Sequence, residues 1–128
     1  MRVLIVDDYP DTAELVDRLL TSEGHECRST TSGGTALAAA EAFKPDVAII
    51  DMALQDIDGY ALRVVLRRRL PDHTPFFIAM STRTHALKAA LAVGFDACLL
   101  KPATGAQFLR AVGLARNARP GLSSAEHL

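Results

Sequence analysis

At four places in this 128-residue chain a polar group suited to phosphoryl chemistry directly follows a short apolar run. Asp7 and Asp8 follow Val3-Leu4-Ile5-Val6, Asp51 follows Val47-Ala48-Ile49-Ile50, Ser81 follows Phe76-Phe77-Ile78-Ala79-Met80, and Lys101 follows Ala97-Cys98-Leu99-Leu100. Taken singly, each has a plainer reading: an Asp or Ser after a strand caps or turns the next segment, and a lone Lys is a surface cation. Taken together they make a reaction centre. A carboxylate can attack phosphorus and become an acyl phosphate, and Asp51 is the residue placed to do so. Three crowded carboxylates repel one another, so either their pKa values rise or a divalent cation neutralises them. Oxygen donors select a hard cation, and Mg²⁺ suits best because it takes only one or two carboxylates plus waters and a phosphate oxygen. The Lys101 ammonium would offset charge on the transferring group. The Ser81 hydroxyl would hydrogen-bond a phosphoryl oxygen present only after transfer, which gives its loop a reason to move.

Residues so far apart in sequence meet only if their strands are parallel and end on one edge of a sheet. The hydrophobic pattern supplies such strands. After the run at residues 3–6 comes a helical spacing with Ala13, Val16, Leu19 and Leu20 on one face, stopped by Gly24. A shorter, more polar strand at 25–29 suits the sheet edge, and a capped, Ala-rich helix at 36–43 ends before Pro45. The Pro45-Asp46-Val47-Ala48-Ile49-Ile50-Asp51 stretch reads as a strand buried on both faces, left through the polar loop Gln55-Asp56-Ile57-Asp58-Gly59. A helix at 60–70 carries Leu62, Val65 and Leu66 on one face, with Arg63, Arg67, Arg68 and Arg69 read as a solvated cationic face. The strand at 76–80, the helix at 85–93 closed by Gly94, the strand at 97–100 and a last amphipathic helix bearing Phe108, Leu109, Val112 and Leu114 complete the alternation. Five strands alternating with five helices predict an α/β fold, a doubly wound parallel sheet covered on both faces, with its switch point between strands 1 and 3. Residues 1–117 read as one domain and 118–128 as a polar C-terminal tail.

Composition narrows the partners. A net charge of −1 leaves no electrostatic footprint for nucleic acid or an acidic membrane surface. No apolar run has the length of a membrane span, and Met1-Arg2 leads straight into a strand, so a cytoplasmic protein is expected. Cys27 and Cys98 form no CxxC and read as two buried thiols, and His25, His73, His85 and His127 show no ligand spacing. A phosphatase of the haloacid-dehalogenase type needs a second Asp two residues after its nucleophile, where this chain has Ala53. Flavin binding is disfavoured because Asp7-Asp8-Tyr9-Pro10 would repel a cofactor phosphate.

The Val-Asp-Asp ending of the first strand, residues 45–59 around Asp51, Ile78-Ala79-Met80-Ser81, and Gly94-Phe95-Asp96-Ala97 leading to Lys101-Pro102 carry a specific resemblance. The chain resembles the response-regulator receiver domains of two-component signalling over nearly everything except the tail. The resemblance implies a flavodoxin-like sheet of order 2-1-3-4-5 and a typically cis Lys101-Pro102 bond. It implies that Asp51 accepts a phosphoryl group from a histidine kinase or phosphotransfer protein, the domain being a switch rather than a turnover enzyme. Asp8 and the Ala53 carbonyl would bind Mg²⁺ directly and Asp7 through water, while Ser81 and Lys101 would hold the phosphoryl group. The output would be a changed surface on the fourth helix, fifth strand and fifth helix, offered to a downstream protein, to the parent chain of an excised receiver, or to a second copy in a homodimer. Gln55, Thr82, Cys98 and Ala103 depart from the family's common Pro, Ala, aromatic and Phe. These departures bear on output rather than on phosphorylation. The alternative is a receiver-like scaffold that binds partners without phosphate.

Overall fold

The computed structural model describes residues 1–118. The chain runs β1 (Arg2–Val6), α1 (Pro10–Ser22), β2 (Glu26–Thr30), α2 (Gly33–Phe43), β3 (Val47–Asp51), α3 (Gly59–Arg69), β4 (Phe76–Ser81), α4 (Thr84–Val93), β5 (Ala97–Leu100) and α5 (Gly105–Ala118). The strands form one parallel sheet in the order β2-β1-β3-β4-β5. β3 and β4 are buried along their whole length, as continuous β-branched and aromatic runs require when helices cover both faces. Alternate residues feed two cores. Val3, Ile5, Ile49, Ile78 and Met80 pack with Val16 and Leu20 of α1 and Phe108 and Val112 of α5. Leu4, Val6, Ile50 and Phe77 pack with Ala40 of α2, Leu62 and Leu66 of α3, and Leu87 of α4. At the N-terminal edge the Asp46 carboxylate accepts from the Arg2 amide at 2.8 Å and pairs with His73 Nε2 at 2.9 Å, joining β1, β3 and the α3–β4 loop.

Several expectations need correction. α2 begins at Gly33, ahead of the expected 36, because Ser32 Oγ accepts from the Thr35 amide and the Asp56 carboxylate accepts from the Gly33 and Gly34 amides at 3.0 Å each. Arg63 is not on a solvated face: it lies buried beside Leu62, under the rings of Phe77 and Phe95. Cys27 and Cys98 are only half-buried, Cys27 because β2 is an edge strand. Leu114 is exposed, since the buried stripe of α5 is Phe108, Ala111, Val112 and Ala115. Helix α5 includes Ala118, the first residue of the expected tail; residues 119–128, with His127 among them, lie outside the described residues. Among the described residues no helix is long and apolar enough to cross a membrane.

Candidate functional site at the C-terminal edge of the sheet

β1 and β3 are neighbours, with Val6 opposite Ile50, so Asp7 and Asp51 emerge side by side at the switch point. Both are buried, Asp7 completely. Each carboxylate divides its work between its two oxygens. Asp7 Oδ1 accepts from the Tyr9 amide at 2.9 Å, and Asp51 Oδ1 accepts from the Ala53 amide at 3.0 Å. The turn reading of these residues therefore holds for one oxygen of each. The other oxygens face a shared cation: Lys101 Nζ lies 2.9 Å from Asp7 Oδ2 and 3.1 Å from Asp51 Oδ2.

Lys101 starts from the end of β5, two strands beyond β3, and is anchored there by its amide, which donates to the Ser81 carbonyl at 2.8 Å. The Lys101-Pro102 peptide bond is cis. Burial pulls the ammonium's pKa down, but the hydrogen bonds to Asp7 and Asp51 more than offset it and leave the pKa above its ordinary value. Ser81 is buried at the end of β4, its Oγ accepting from the Arg83 amide at 3.0 Å. Arg83, not Ser81, is the N-cap of α4.

Asp8 has a different environment. It lines a cleft of about 300 Å³ together with Tyr9, Asp51, Ala53, Gln55, Thr82 and Lys101. Desolvation first, and then the charges of Asp51 and Asp7, raise its carboxyl pKa above the usual value. One ammonium thus serves two of three carboxylates and Asp8 is left under-compensated. Among the described residues no group of three Asp, Glu, His or Cys side chains forms a ready-made metal cage. A cation such as Mg²⁺ does not require one, since it is held by one or two carboxylates and completes its shell with water and phosphate oxygens. The all-oxygen donor set around Asp8 fits that requirement.

The edge thus gathers Asp7, Asp8, Asp51 and Lys101 around one cleft and puts Ser81 within one backbone hydrogen bond of Lys101. Sequence reasoning missed Tyr9, whose exposed ring has Lys101 Nζ 5.8 Å from its centroid. An aromatic immediately after an acidic pair at a strand end was the available signal. It also passed over Asp56, whose two bonds to the start of α2 hold its carboxyl below the usual range and fix the loop after Asp51.

A family model described as the response regulator receiver domain matches residues 3–113. A probable transcriptional regulatory protein, TcrX of Mycobacterium tuberculosis, is 33% identical over 100 residues, covering 78% of this chain and 43% of the relative. The sensor histidine kinase RcsC of Escherichia coli is 28% identical over 104 residues, which are 81% of this chain and 11% of the kinase. The chain therefore spans less than half the length of either of these curated relatives. Among solved structures, the chemotaxis response regulator CheY4 of Vibrio cholerae superposes with a TM-score of 0.79 at 26% identity, covering 89% of this chain and 97% of that one. The family match runs from the first strand into the last helix, and the chain belongs to the response regulator receiver domains.

Proposed function

We propose that the domain is a phosphorylation-dependent switch in which Asp51 accepts a phosphoryl group from a histidine kinase or a phosphotransfer protein. In that reaction an Asp51 carboxylate oxygen forms a bond to phosphorus as the donor's phosphorus–nitrogen bond breaks, and the leaving imidazole keeps the electron pair. Lys101 already touches the attacking carboxylate, so its ammonium moves with little rearrangement onto a phosphoryl oxygen. Ser81 then exchanges its bond with the Arg83 amide for one to another phosphoryl oxygen. Mg²⁺, held through Asp8, the Ala53 carbonyl and, by way of water, Asp7, would neutralise charge on the transferring group. Asp51 has no acidic partner at Ala53 to activate water, so the acyl phosphate persists long enough to signal.

The observation that supports this reading best is the Lys101 ammonium seated between Asp7 and Asp51 at the mouth of the cleft. Output follows from the surface beyond it. Leu91 and Val93 on α4, Leu100 on β5 and Leu114 on α5 are all exposed, an apolar set suited to a downstream protein, the parent chain or a second copy. Movement of the 81–85 segment carries the signal to that face, with Cys98 packing passively because a thiol transfers little volume between rotamers. Incubation with acetyl phosphate and Mg²⁺, read by intact mass, should add one phosphoryl group, and Asp51→Asn should add none. Absence of uptake, with no binding of beryllofluoride either, would favour a phosphate-independent scaffold.

A further inference from the structure

One charged side chain of α3, Arg63, is buried with no ion-pair partner among the described residues. Arg63 is 9% exposed, with its guanidinium carbon 5.6 Å from the centroid of Phe77 and 5.7 Å from that of Phe95. It fits because Gly94 has no side chain: a Cβ there would stand 2.3 Å from Arg63 Nη2. Yet among the described residues Arg63 Nε finds no acceptor and the guanidinium enters no ion pair. Burial and then the charge of Arg67 hold its pKa below the ordinary value, while Asp96 pulls the other way from beyond ion-pair distance. Aromatic faces recover part of the cost of burying a guanidinium, but they do not supply the in-plane acceptors that its donors need.

Arg63 also lines a cleft of about 370 Å³ with Val64, Arg67, Arg68, Pro71 and Thr74. Arg67 and Arg68 are exposed and enter no ion pair among the described residues, unlike Arg69, which pairs with Glu41. Three guanidiniums and no carboxylate therefore line a space within the range of small-molecule sites. The negative end of the α3 dipole opposes an anion by only about half a charge. A single carboxylate would leave most of the positive charge uncompensated. Phosphate groups carry more charge and present oxygens that guanidiniums bind in pairs. Val64 and Pro71 add an apolar wall.

We propose that this cleft binds a phosphorylated small molecule, from pyrophosphate to a nucleotide in size, with Arg67 and Arg68 taking phosphate oxygens and Arg63 adding positive charge at the cleft wall. The site is separate from the Asp51 edge and shares no lining residue with it. The test is calorimetric titration of the whole chain with pyrophosphate and with ATP in low-salt, metal-free buffer, with backbone amide shifts recorded alongside. Binding of either probe with shifts over residues 63–74 is expected, pyrophosphate alone sufficing if phosphate is the recognised group. The double variant Arg67→Ser, Arg68→Ser changes only exposed side chains and should weaken binding about tenfold or more, a loss of about 1.4 kcal/mol. Arg63→Met should weaken it while leaving acetyl phosphate uptake intact. No binding of either probe at millimolar concentration, unchanged affinity in the double variant, or shifts confined to residues 7–8, 51–53 and 101 would overturn the proposal.

Discussion

Lys101→Met keeps a flexible stem of similar length and removes the charge that stands between Asp7 and Asp51. The ammonium makes two charge-assisted hydrogen bonds, of 2.9 and 3.1 Å, to side chains only 0% and 7% exposed. Removing one partner of a buried ion pair costs about 3–5 kcal/mol, chiefly because the other charge stays behind. The low end applies here, since the Lys101 side chain is 16% exposed and the cleft admits water beside Asp51. With a loss of about 3 kcal/mol and a urea m-value of roughly 1–3 kcal/mol/M, the midpoint at pH 7 should fall by roughly 1–3 M. In the wild type the Lys101 pKa is raised, so its contribution is complete below the unfolded lysine value of about 10.4 and fades only as pH rises through the folded value. In the variant, the Asp7 and Asp51 carboxylates face each other with no cation between them. Saturating Mg²⁺ should shrink the deficit at pH 7, and the deficit should shrink again as pH rises through the folded Lys101 value, where the wild type loses its own bridge. Urea titrations at several pH values, with EDTA or with Mg²⁺, measure all three effects. A loss below about 1 kcal/mol, or a pH profile parallel to the wild type, would refute the bridging role.

The raised Asp8 pKa means that its ionised form weakens the fold at neutral pH, a contribution relieved only as pH falls, so Asp8→Asn should stabilise the metal-free protein by up to about 1 kcal/mol. It should also abolish most of the roughly 1–3 kcal/mol that saturating Mg²⁺ gives the wild type, and equal Mg²⁺ shifts in melting temperature would count against Asp8 as a ligand. Ser81→Ala should still be phosphorylated but lose phosphorylation-dependent partner binding or dimerisation, whereas Cys98→Ala should leave the response nearly unchanged; a blocked response in Cys98→Ala would make that residue a relay. Gly59→Ala would place a Cβ 2.7 Å from Met52 Sδ and 3.0 Å from its Cα, so a loss of about 1–3 kcal/mol in chemical denaturation is expected, and a neutral result would show that the turn after Asp51 yields.

The sheet was legible because its strands say the same thing at every level: apolar runs, parallel crossovers and helix stops agree. Asp51 ends β3 as its run suggested, and β5 occupies the expected residues 97–100. The strand-end residues were legible for the same reason, since parallel strands in this order deliver their ends to one edge. Sequence could not show how the carboxylates divide their oxygens, with one on a backbone amide and the other on Lys101, because that depends on turn geometry after each strand. Arg63 was misread for a related reason. Its place three residues before Leu66 puts it on the core side of α3, but it was grouped with Arg67, Arg68 and Arg69 of the last turn, which face water, and the space left by Gly94 and the rings of Phe77 and Phe95 makes its burial feasible. Leu114 was misplaced because a stripe traced through its largest residues ignored Ala111 and Ala115, which mark the buried face of α5.

The central claim, that Asp51 is the phosphoacceptor, is tested most directly by locating the phosphoryl group. The protein is treated with acetyl phosphate and Mg²⁺, the acyl phosphate is trapped by borohydride reduction, which turns a phosphorylated aspartate into homoserine, and the digest is sequenced by mass spectrometry. Homoserine at position 51 alone, lost when Mg²⁺ is withheld or when Asp8 is changed to Asn, is the predicted result. Reduction at Asp7 or Asp8 instead, or none anywhere in the presence of Mg²⁺, would contradict the account.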